Sequence, residues 1–362
     1  MEGRLCRVTI LVLIALAMVR PASAADRWDV ELHAGALIST NPAGGTTALP
    51  PSNTPAVLIP PQPNLVSTPV SSWYFGDGAQ LLSQVAPGRP GIAIVPLDPV
   101  MQSRFVQRQS GGSVGVRVGR RLSSRFSAEL AIDRGSGDLS LLQASQGTIK
   151  TSQASFLTTW NAALSIGPVT VQQLSSDATI SGLRNSQLIT TGALLVDLVV
   201  NGDLKPYLAI GAGYIASRGE SPSATLAGNY RFAFTPAISS APPFLIDQTD
   251  TVSIRSSASN TVTWVLGGGV KYHLSEHWGV RADVRDHINH DVIRTTISAT
   301  PTSASSGSGA LTLGFSGGQL LVFSSTSGFR STLSAPISDF RTFSGTGLVN
   351  QANATAGIFW RF

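Results

Sequence analysis

Apolar and polar residues alternate along several stretches of this chain, which is the pattern of a β-strand with one apolar face. Three stretches, at residues 112–134, 188–216 and 261–288, share one design. Each has an alternating run, a short turn and a second alternating run. The turns read RLSS, NGDLK and LSEH, and Asn-Gly is a strong turn signal because both residues tolerate positive φ. The pattern predicts three β-hairpins.

Single alternating stretches at about 28–38 and 351–362 bring the number of predicted strands to eight. Short turns between these strands alternate with long polar connections. The long connections span about 39–111, 135–187, 217–260 and 289–350. Connections in compact soluble domains usually have ~4–6 residues. Outer-membrane barrels, by contrast, combine short periplasmic turns with longer extracellular loops and cross the membrane with strands of ~9–11 residues.

The alternation also separates two faces of the predicted strands. Apolar side chains occupy the even-numbered positions, and the charged side chains occupy the odd-numbered positions. Aromatic residues near the short turns and chain ends, such as Trp28, Trp278 and Trp360, would form an interfacial girdle. A soluble β-sandwich would show the same periodicity with its apolar faces buried. The alternation of long and short connections favours a different all-β fold, a transmembrane antiparallel β-barrel of eight strands with long extracellular loops.

The N-terminal segment has the organisation of a secretory signal peptide. Arg4 and Arg7 precede an apolar run at residues 8–19, and a small-residue site, Ala-Ser-Ala, ends at Ala24. The apolar run is shorter than the ~20 residues that a spanning helix needs. We therefore expect residues 1–24 to be removed during export and residues 25–362 to form the mature barrel.

Cleavage would change the charge and the cysteine content of the chain. It removes three arginines and one glutamate, so 25 basic and 20 acidic residues become 22 and 19. This near balance, without a basic run, disfavours nucleic-acid binding. The single cysteine, Cys6, lies in the predicted signal peptide, so the mature chain would have no disulfide or thiol chemistry. We expect no cofactor and no dedicated metal site.

Three segments resemble the small eight-stranded outer-membrane barrels, the family of the OmpA membrane domain and of OmpW. They read YLAIGAGY at 207–214, VKYHLSEHWGVRADV at 270–284 and IFWRF at 358–362. The resemblance implies a protein of a Gram-negative outer membrane that contacts membrane lipid and lipopolysaccharide. It further implies delivery by periplasmic chaperones, with Trp360 and Phe362 in the signal read by the barrel-assembly machinery.

Charged residues of both signs fall on the predicted inner face. The lumen of an eight-stranded barrel is just wide enough for side chains to fill it. Opposite charges in such a space are expected to pair with one another instead of lining an aqueous pore. The residues expected in this lumen network are Arg117, Glu129, Asp197, Arg281, Asp283 and Arg285.

The sharpest chemical signal is the stretch RDHINHDVIR at the end of the seventh predicted strand. Asp286, His287, His290 and Asp291 could form a hydrolytic site or bind a divalent cation at the barrel rim. They could equally be a polar strand end near lipopolysaccharide phosphates. Parity favours this last interpretation, because it puts His287 inward and separates it from Asp286 and His290.

Two segments of the long connections also suggest ordered structure. Trp73, Tyr74 and Phe75 precede a helix-compatible stretch and could plug the barrel mouth or contact a ligand. Residues 156–166 alternate well enough to form a ninth strand, with a partner downstream as far as residue 180. We expect a non-enzymatic surface or envelope protein that acts through its loops or reinforces the membrane. The alternatives are a narrow transport barrel for small solutes and a rim-site hydrolase.

Overall fold

The computed structural model describes most of the chain after the predicted signal peptide, which lies outside the described residues. The described ranges are 28–45, 47–52, 56–57, 66–84, 93–136, 139–165, 168–182, 185–235, 242–306, 310–314, 320–325 and 330–362. None of the helices in these ranges has the length and apolarity of a membrane-spanning helix.

Strands dominate the described chain, and three helices interrupt them. The helices are α1 (Gly76–Ser83), α2 (Asp98–Met101) and α3 (Gln143–Leu164). The strands are β1 (Trp28–Ser39), β2 (Ala56–Val57), β3 (Val66–Ser67), β4 (Val106–Arg108), β5 (Gly111–Arg121), β6 (Phe126–Ser136), β7 (Leu139–Leu141), β8 (Val169–Ser181), β9 (Asn185–Asp197), β10 (Leu204–Gly219), β11 (Ser223–Phe234), β12 (Phe244–Ala258), β13 (Thr261–His273), β14 (Trp278–Ala299), β15 (Thr302–Ser306), β16 (Ala310–Gly314), β17 (Leu320–Ser324) and β18 (Ile337–Arg361).

Eight antiparallel strands close into a ring, and these are the eight strands that the alternation predicts. The order around the ring is β1-β5-β6-β9-β10-β13-β14-β18, and β18 pairs with β1 again. At the closing seam, the backbone N–H of Trp28 donates to the C=O of Phe362 (2.9 Å), and the reciprocal bond is 3.0 Å long. The prediction of an eight-stranded barrel is confirmed.

The outer face of the ring is apolar, as the parity of the sequence predicts. Large apolar side chains at even-numbered positions are exposed on every strand of the ring, for example Leu32, Val116, Ile210, Leu266 and Val284. The cross-strand partners of Leu32 are Val116 and Ile358, so even positions meet even positions around the seam. A continuous apolar belt results, while odd positions face the lumen.

The long connections are more ordered than the sequence predicts. The strands β14 and β18, with 22 and 25 residues, continue beyond the ring. Their upper ends form a second sheet, with strand order β18-β14-β12-β11-β8 and with β15 paired to β12. We call this sheet, together with the other described residues of the four long connections, the cap. The segments at 135–187, 217–260 and 289–350 therefore contain strands and a helix as well as loops.

The helices and part of the first long connection cover one face of the cap sheet. Their apolar side chains form one large hydrophobic core. Its fully buried members include Trp73, Tyr74, Leu82, Phe105, Ile149, Phe156, Trp160, Leu226, Tyr230, Phe232, Ile246, Ile254, Ile297 and Phe323. The cap is thus a folded unit that stands on the barrel through two shared strands.

The prediction of a ninth barrel strand at 156–166 is wrong. Most of this segment is the second half of helix α3, which ends at Leu164. Ile149, Phe156, Trp160 and Ala163 are buried at spacings of seven, four and three residues, which is the helical period. The short alternating window concealed this longer pattern. Further downstream, β8 is a strand, but it belongs to the cap sheet and not to the ring.

Candidate functional site

The barrel lumen contains a network of three arginines and three carboxylates. Its members, which we call the lumen network, are Glu31, Arg117, Glu129, Arg281, Asp283 and Arg285. All six side chains lie at odd positions of ring strands and are buried. Their formal charges cancel, so the confined interior holds no net charge from this layer.

Arg281 is the centre of the lumen network. Its Nη1 atom lies 2.9 Å from Glu31 Oε2 and 2.5 Å from Glu129 Oε2. Its Nη2 atom lies 3.0 Å from Asp283 Oδ2, and its Nε–H donates to the hydroxyl of Tyr207 (2.6 Å). One guanidinium therefore joins carboxylates from β1, β6 and β14, three strands that are far apart in the sequence. The planar fork of arginine suits such multiple contacts.

The other two arginines complete the network. Arg117 Nη1 lies 2.9 Å from Glu31 Oε1 and 3.2 Å from Asp283 Oδ2. Arg285 pairs with Glu129 (2.6 Å) and with Asp283 (3.1 Å). Thr355 and Tyr207 also donate hydroxyl hydrogen bonds to Asp283. Every carboxylate thus has several donors, the condition under which buried charges are tolerated.

The sequence-based set and the observed network share five residues. The sixth expected residue, Asp197, lies half-buried at the end of β9 next to a short turn. Among the described residues it forms no ion pair within 4.0 Å. Glu31 belongs to the observed network but not to the expected set, although parity places it on the inner face with the other charged residues.

Further layers fill the lumen on both sides of the network. Toward the short turns, Asp29 pairs with Arg361 (2.8 Å) and Lys271 (3.5 Å). Toward the cap, His33 Nε2 lies 2.5 Å from Asp133 Oδ1. Beyond that pair, an apolar layer of buried side chains crosses the lumen, composed of Leu37, Ile189 and Ile215. Charged, polar and apolar layers thus succeed one another along the axis.

The predicted rim cluster is divided between the two faces of β14. His287 points inward and is buried, whereas His290 on the other face is exposed and Asp286 is half-buried. Asp291 is fully buried, and its Oδ2 accepts hydrogen bonds from Arg108 Nε (2.8 Å) and Nη2 (2.5 Å). Within the described ranges, no group of three His, Cys, Asp or Glu residues is suited to a metal ion.

The Arg108–Asp291 pair ties the first long connection to the top of the barrel. Arg108 belongs to β4, and its backbone N–H also donates to Asn41 Oδ1 (2.7 Å). In the same segment, Arg104 Nη2 donates to the C=O of Pro42 (2.8 Å). These bonds fix the segment of Arg104 and Arg108 to the residues that follow β1 and to β14.

Trp73, Tyr74 and Phe75, the candidates for a plug or a ligand contact, lie in the core of the cap. Trp73 and Tyr74 are fully buried. The ring of Tyr74 stacks on Phe156 of α3 at 5.2 Å, and Trp73 meets the edge of Trp160 at 5.5 Å. Trp160 in turn stacks on Tyr230 of β11 at 4.0 Å. This aromatic cluster fastens the first connection and α3 to the cap sheet.

A buried carboxylate, Asp250 on β12, lies within this apolar core. Its Oδ2 accepts the backbone N–H of Trp73 (2.7 Å) and the hydroxyl of Ser72 (2.9 Å). Burial raises the pKa of Asp250 to about 7, although these two hydrogen bonds act in the opposite direction. The alternation of β12 points to this site, because Gln248 and Asp250 interrupt the buried apolar series.

Residues 91–315, more than half of the chain, match the family model of the outer membrane protein beta-barrel domain. The chain belongs to this family. Similar solved structures are OprG from Pseudomonas aeruginosa (11% identity, 92% of this chain and 95% of that chain, TM-score 0.33) and AlkL in DMPC lipid bilayers (11%, 95% and 95%, 0.35). The outer membrane protease OmpT from Escherichia coli is also similar (9%, 93% and 96%, 0.26). Comparison with curated protein sequences gives no significant match.

The protein is therefore an outer-membrane β-barrel. Membership of the family accounts for the apolar belt on the outside of the ring, because this belt faces lipid in outer-membrane barrels. It also excludes the soluble sandwich as an explanation of the alternation.

Proposed function

We propose that this outer-membrane β-barrel is a non-enzymatic surface-interaction protein, in which the barrel is a closed anchor and the cap makes the contacts. The observation that carries the proposal is the cap itself. It is a folded sheet with a helix and its own hydrophobic core, and it is built on two strands that continue from the barrel. In outer-membrane barrels the end with long connections faces the outside of the cell.

The lumen favours this role over transport. A solute crossing the barrel would have to separate the ion pairs of Arg281 with Glu31, Glu129 and Asp283. It would then have to pass the layer around Leu37. Buried charges that lose one partner are strongly destabilised, so this interior resists opening.

The rim residues give little support to a hydrolase. A general base and its partner must lie within hydrogen-bonding reach of each other and of the substrate. His287 is buried inside the barrel, whereas Asp286 and His290 lie on the opposite face. Asp291 is already engaged by Arg108.

The proposal also includes export and assembly. Residues 1–24 would direct export and be removed before Ala25, so N-terminal sequencing of the mature protein should begin at Ala25. Periplasmic chaperones would deliver the chain, and the assembly machinery would recognise the strand that carries Trp360 and Phe362. Once inserted, the apolar belt would contact membrane lipid, and the base of the cap would contact lipopolysaccharide.

The proposal is tested on cells that display the protein. One variant keeps the eight ring strands and joins them by short turns in place of the cap segments. Self-aggregation of the cells and their retention on a polystyrene surface are compared with cells that display the full chain. We expect the shortened protein to insert normally and to lose both effects. Equal aggregation and retention at equal surface levels would contradict a role for the cap.

A further inference from the structure

The two edges of the cap sheet differ. The edge at β18 is covered by residues 40–45 and 47–48 of the first long connection. Thr40 N–H donates to Asn350 C=O (3.0 Å), Thr346 N–H to Ala43 C=O (3.1 Å), and Ala48 N–H to Thr342 C=O (2.9 Å). The opposite edge is β8, whose only strand partner within the described ranges is β11.

The register shows which backbone groups of β8 point away from the sheet. Ser256 N–H donates to Pro222 C=O (2.9 Å), so even-numbered positions of β11 bond toward β12. Odd-numbered positions of β11 then bond to β8, where they meet odd-numbered residues between Gln173 and Ser181. Because hydrogen-bonding direction alternates along an antiparallel strand, the N–H and C=O groups of residues 174, 176, 178 and 180 face the open edge.

The composition of β8 does not block pairing with another strand. Its 13 residues, VTVQQLSSDATIS, contain one charge, Asp177, and neither lysine nor proline. Natural proteins commonly block exposed edges with such residues or with bulges. Here a register irregularity opposite Arg231 and Phe232 leaves the stretch from Leu174 to Ser181 regular. Leu174, Ala178 and Ile180 are only partly buried against the cap core, so a neighbouring strand would complete their burial.

One amide donor already occupies this edge. The side chain of Gln153 on α3 donates from Nε2 to the C=O of Ser176, at 2.7 Å. The carboxamide thereby supplies the hydrogen bond that the backbone of an adjacent strand would supply. Ser176 itself is buried, so the bond from Gln153 has to open before a strand can pair at Ser176. A flexible side chain is displaced more readily than a paired strand.

We propose that the edge of β8 binds an extended peptide segment of a partner protein, which adds a strand to the cap sheet. The segment would present apolar side chains on the face shared with Leu174 and Ile180, and hydroxyl side chains on the face shared with Thr179 and Ser181. Backbone hydrogen bonds supply affinity in this mode, and alternate side chains supply specificity. The inference rests on the proposed function, since it names the surface of the cap that makes the contact.

The test uses the full mature chain in lipid nanodiscs and a fluorescein-labelled peptide, KVTVTVTVK, measured by fluorescence anisotropy. A peptide of equal charge with two prolines, KVTPTVPVK, controls for attraction by the membrane. We expect saturable binding of the first peptide and none of the second. Equal binding of both peptides, or binding of neither, would overturn the proposal.

Two substitutions should act in opposite directions. Ala178→Pro should fold, because proline is tolerated at edge positions whose N–H faces outward. It removes one hydrogen bond to the added strand and should weaken peptide binding by about tenfold or more. Gln153→Ala removes the competing amide and should strengthen binding by about threefold or more. The matched control is Gln146→Ala, because Gln146 on the same helix donates to Leu141 C=O (3.3 Å), away from the edge.

Thermal melting of each variant identifies changes caused by misfolding. A folded Ala178→Pro variant with unchanged affinity would overturn the proposal, and so would unchanged affinity in Gln153→Ala. These results are separable from the cell assays. If cells without the cap no longer aggregate, the cap is the interacting part. If Ala178→Pro then binds the peptide with unchanged affinity, the interaction does not use the edge of β8.

Discussion

The lumen and the cap core are two buried interiors built by opposite chemistry. Charged side chains such as Arg281 and Glu129 fill the first, whereas aromatic side chains such as Trp160 and Tyr230 fill the second. The difference follows from what lies on the other side of the same strands. The ring must present its apolar side chains to lipid, which leaves polar residues for the lumen. The cap stands in water, so its apolar side chains turn inward.

The strand β14 contains both arrangements. In its lower part Val280 and Val284 face outward, and Arg281 is buried in the lumen. In its upper part Ile293 and Ile297 occupy the buried odd-numbered positions. The alternation continues with the same period while the chemistry of its two faces is exchanged. The exchange marks where the strand leaves the membrane.

The largest effect should come from breaking the lumen network. Arg281→Ala removes one arginine partner from each of Glu31, Glu129 and Asp283, so Arg117 and Arg285 alone face three buried carboxylates. Removing one member of a buried pair costs ~3–5 kcal/mol, so we expect a loss of about that size. Urea titration of the barrel in lipid vesicles measures it. Arg125→Ala, in an exposed turn next to β6, is the control and should change stability little. Equal stability of both variants would show that the network contributes nothing.

The next effect compares two positions on the even-numbered face of β14, one in the membrane and one beside the cap. Ala282→Arg puts a charge on the lipid-facing side of β14, near the middle of the part of the strand that lies in the ring, which costs ~2–4 kcal/mol. His290→Arg adds arginine on the same face but at an exposed position beside the cap. We expect only the first variant to insert poorly into vesicles. Similar insertion of the two would contradict the assigned boundary between ring and cap.

A smaller effect depends on pH and belongs to the cap alone. The Asp250 carboxyl has a pKa of about 7 in the folded state and ~3.9 in an unfolded chain. Between these values the folded state holds the proton that the unfolded state releases, so cap stability falls as pH rises. The slope from this group is about 1.4 kcal/mol per pH unit.

Limited proteolysis of the cap in nanodiscs, from pH 4 to pH 8, measures this dependence. Asp250→Asn has no proton to release, so its cleavage rate should vary less with pH than that of the unmodified chain. Parallel pH profiles for the two proteins would mean that Asp250 does not control the stability of the cap.

The smallest effect on the finished barrel should follow deletion of Phe362. This residue is exposed on the lipid face, and its ring lies 5.1 Å from Trp360. Its backbone also pairs with Trp28 at the seam. We expect a lower yield of inserted protein in cells and nearly unchanged unfolding of the barrels that do insert. Equal yields of the full and shortened chains would argue against a role in assembly.

The sequence predicted the ring well because one physical rule controls it. Every ring strand crosses lipid, so its alternation is strong and its parity assigns both faces, as at Leu32 and Arg117. Asp197 has the right parity, but it lies at the end of β9, beyond the reach of the arginines. Parity therefore identifies which face a residue occupies, and it does not identify the layer.

The cap was harder to predict because its contacts join distant parts of the chain. Arg108 and Asp291 are 183 residues apart, and Trp73 and Tyr230 are 157 residues apart. No local pattern indicates such pairs. The strands β8, β11 and β12 also carry many Ser and Thr residues on their outer faces, which gave the segments the composition of loops. In α3 the apolar residues are sparse, so the helical period emerges only over the full helix.

Ion conductance of the purified protein in planar lipid bilayers tests most directly whether the barrel is a closed anchor. With the lumen network intact and an apolar layer above it, we predict little or no steady current, interrupted at most by brief, small openings. A large, stable and weakly selective conductance would contradict a filled lumen and would favour a transport role for the barrel.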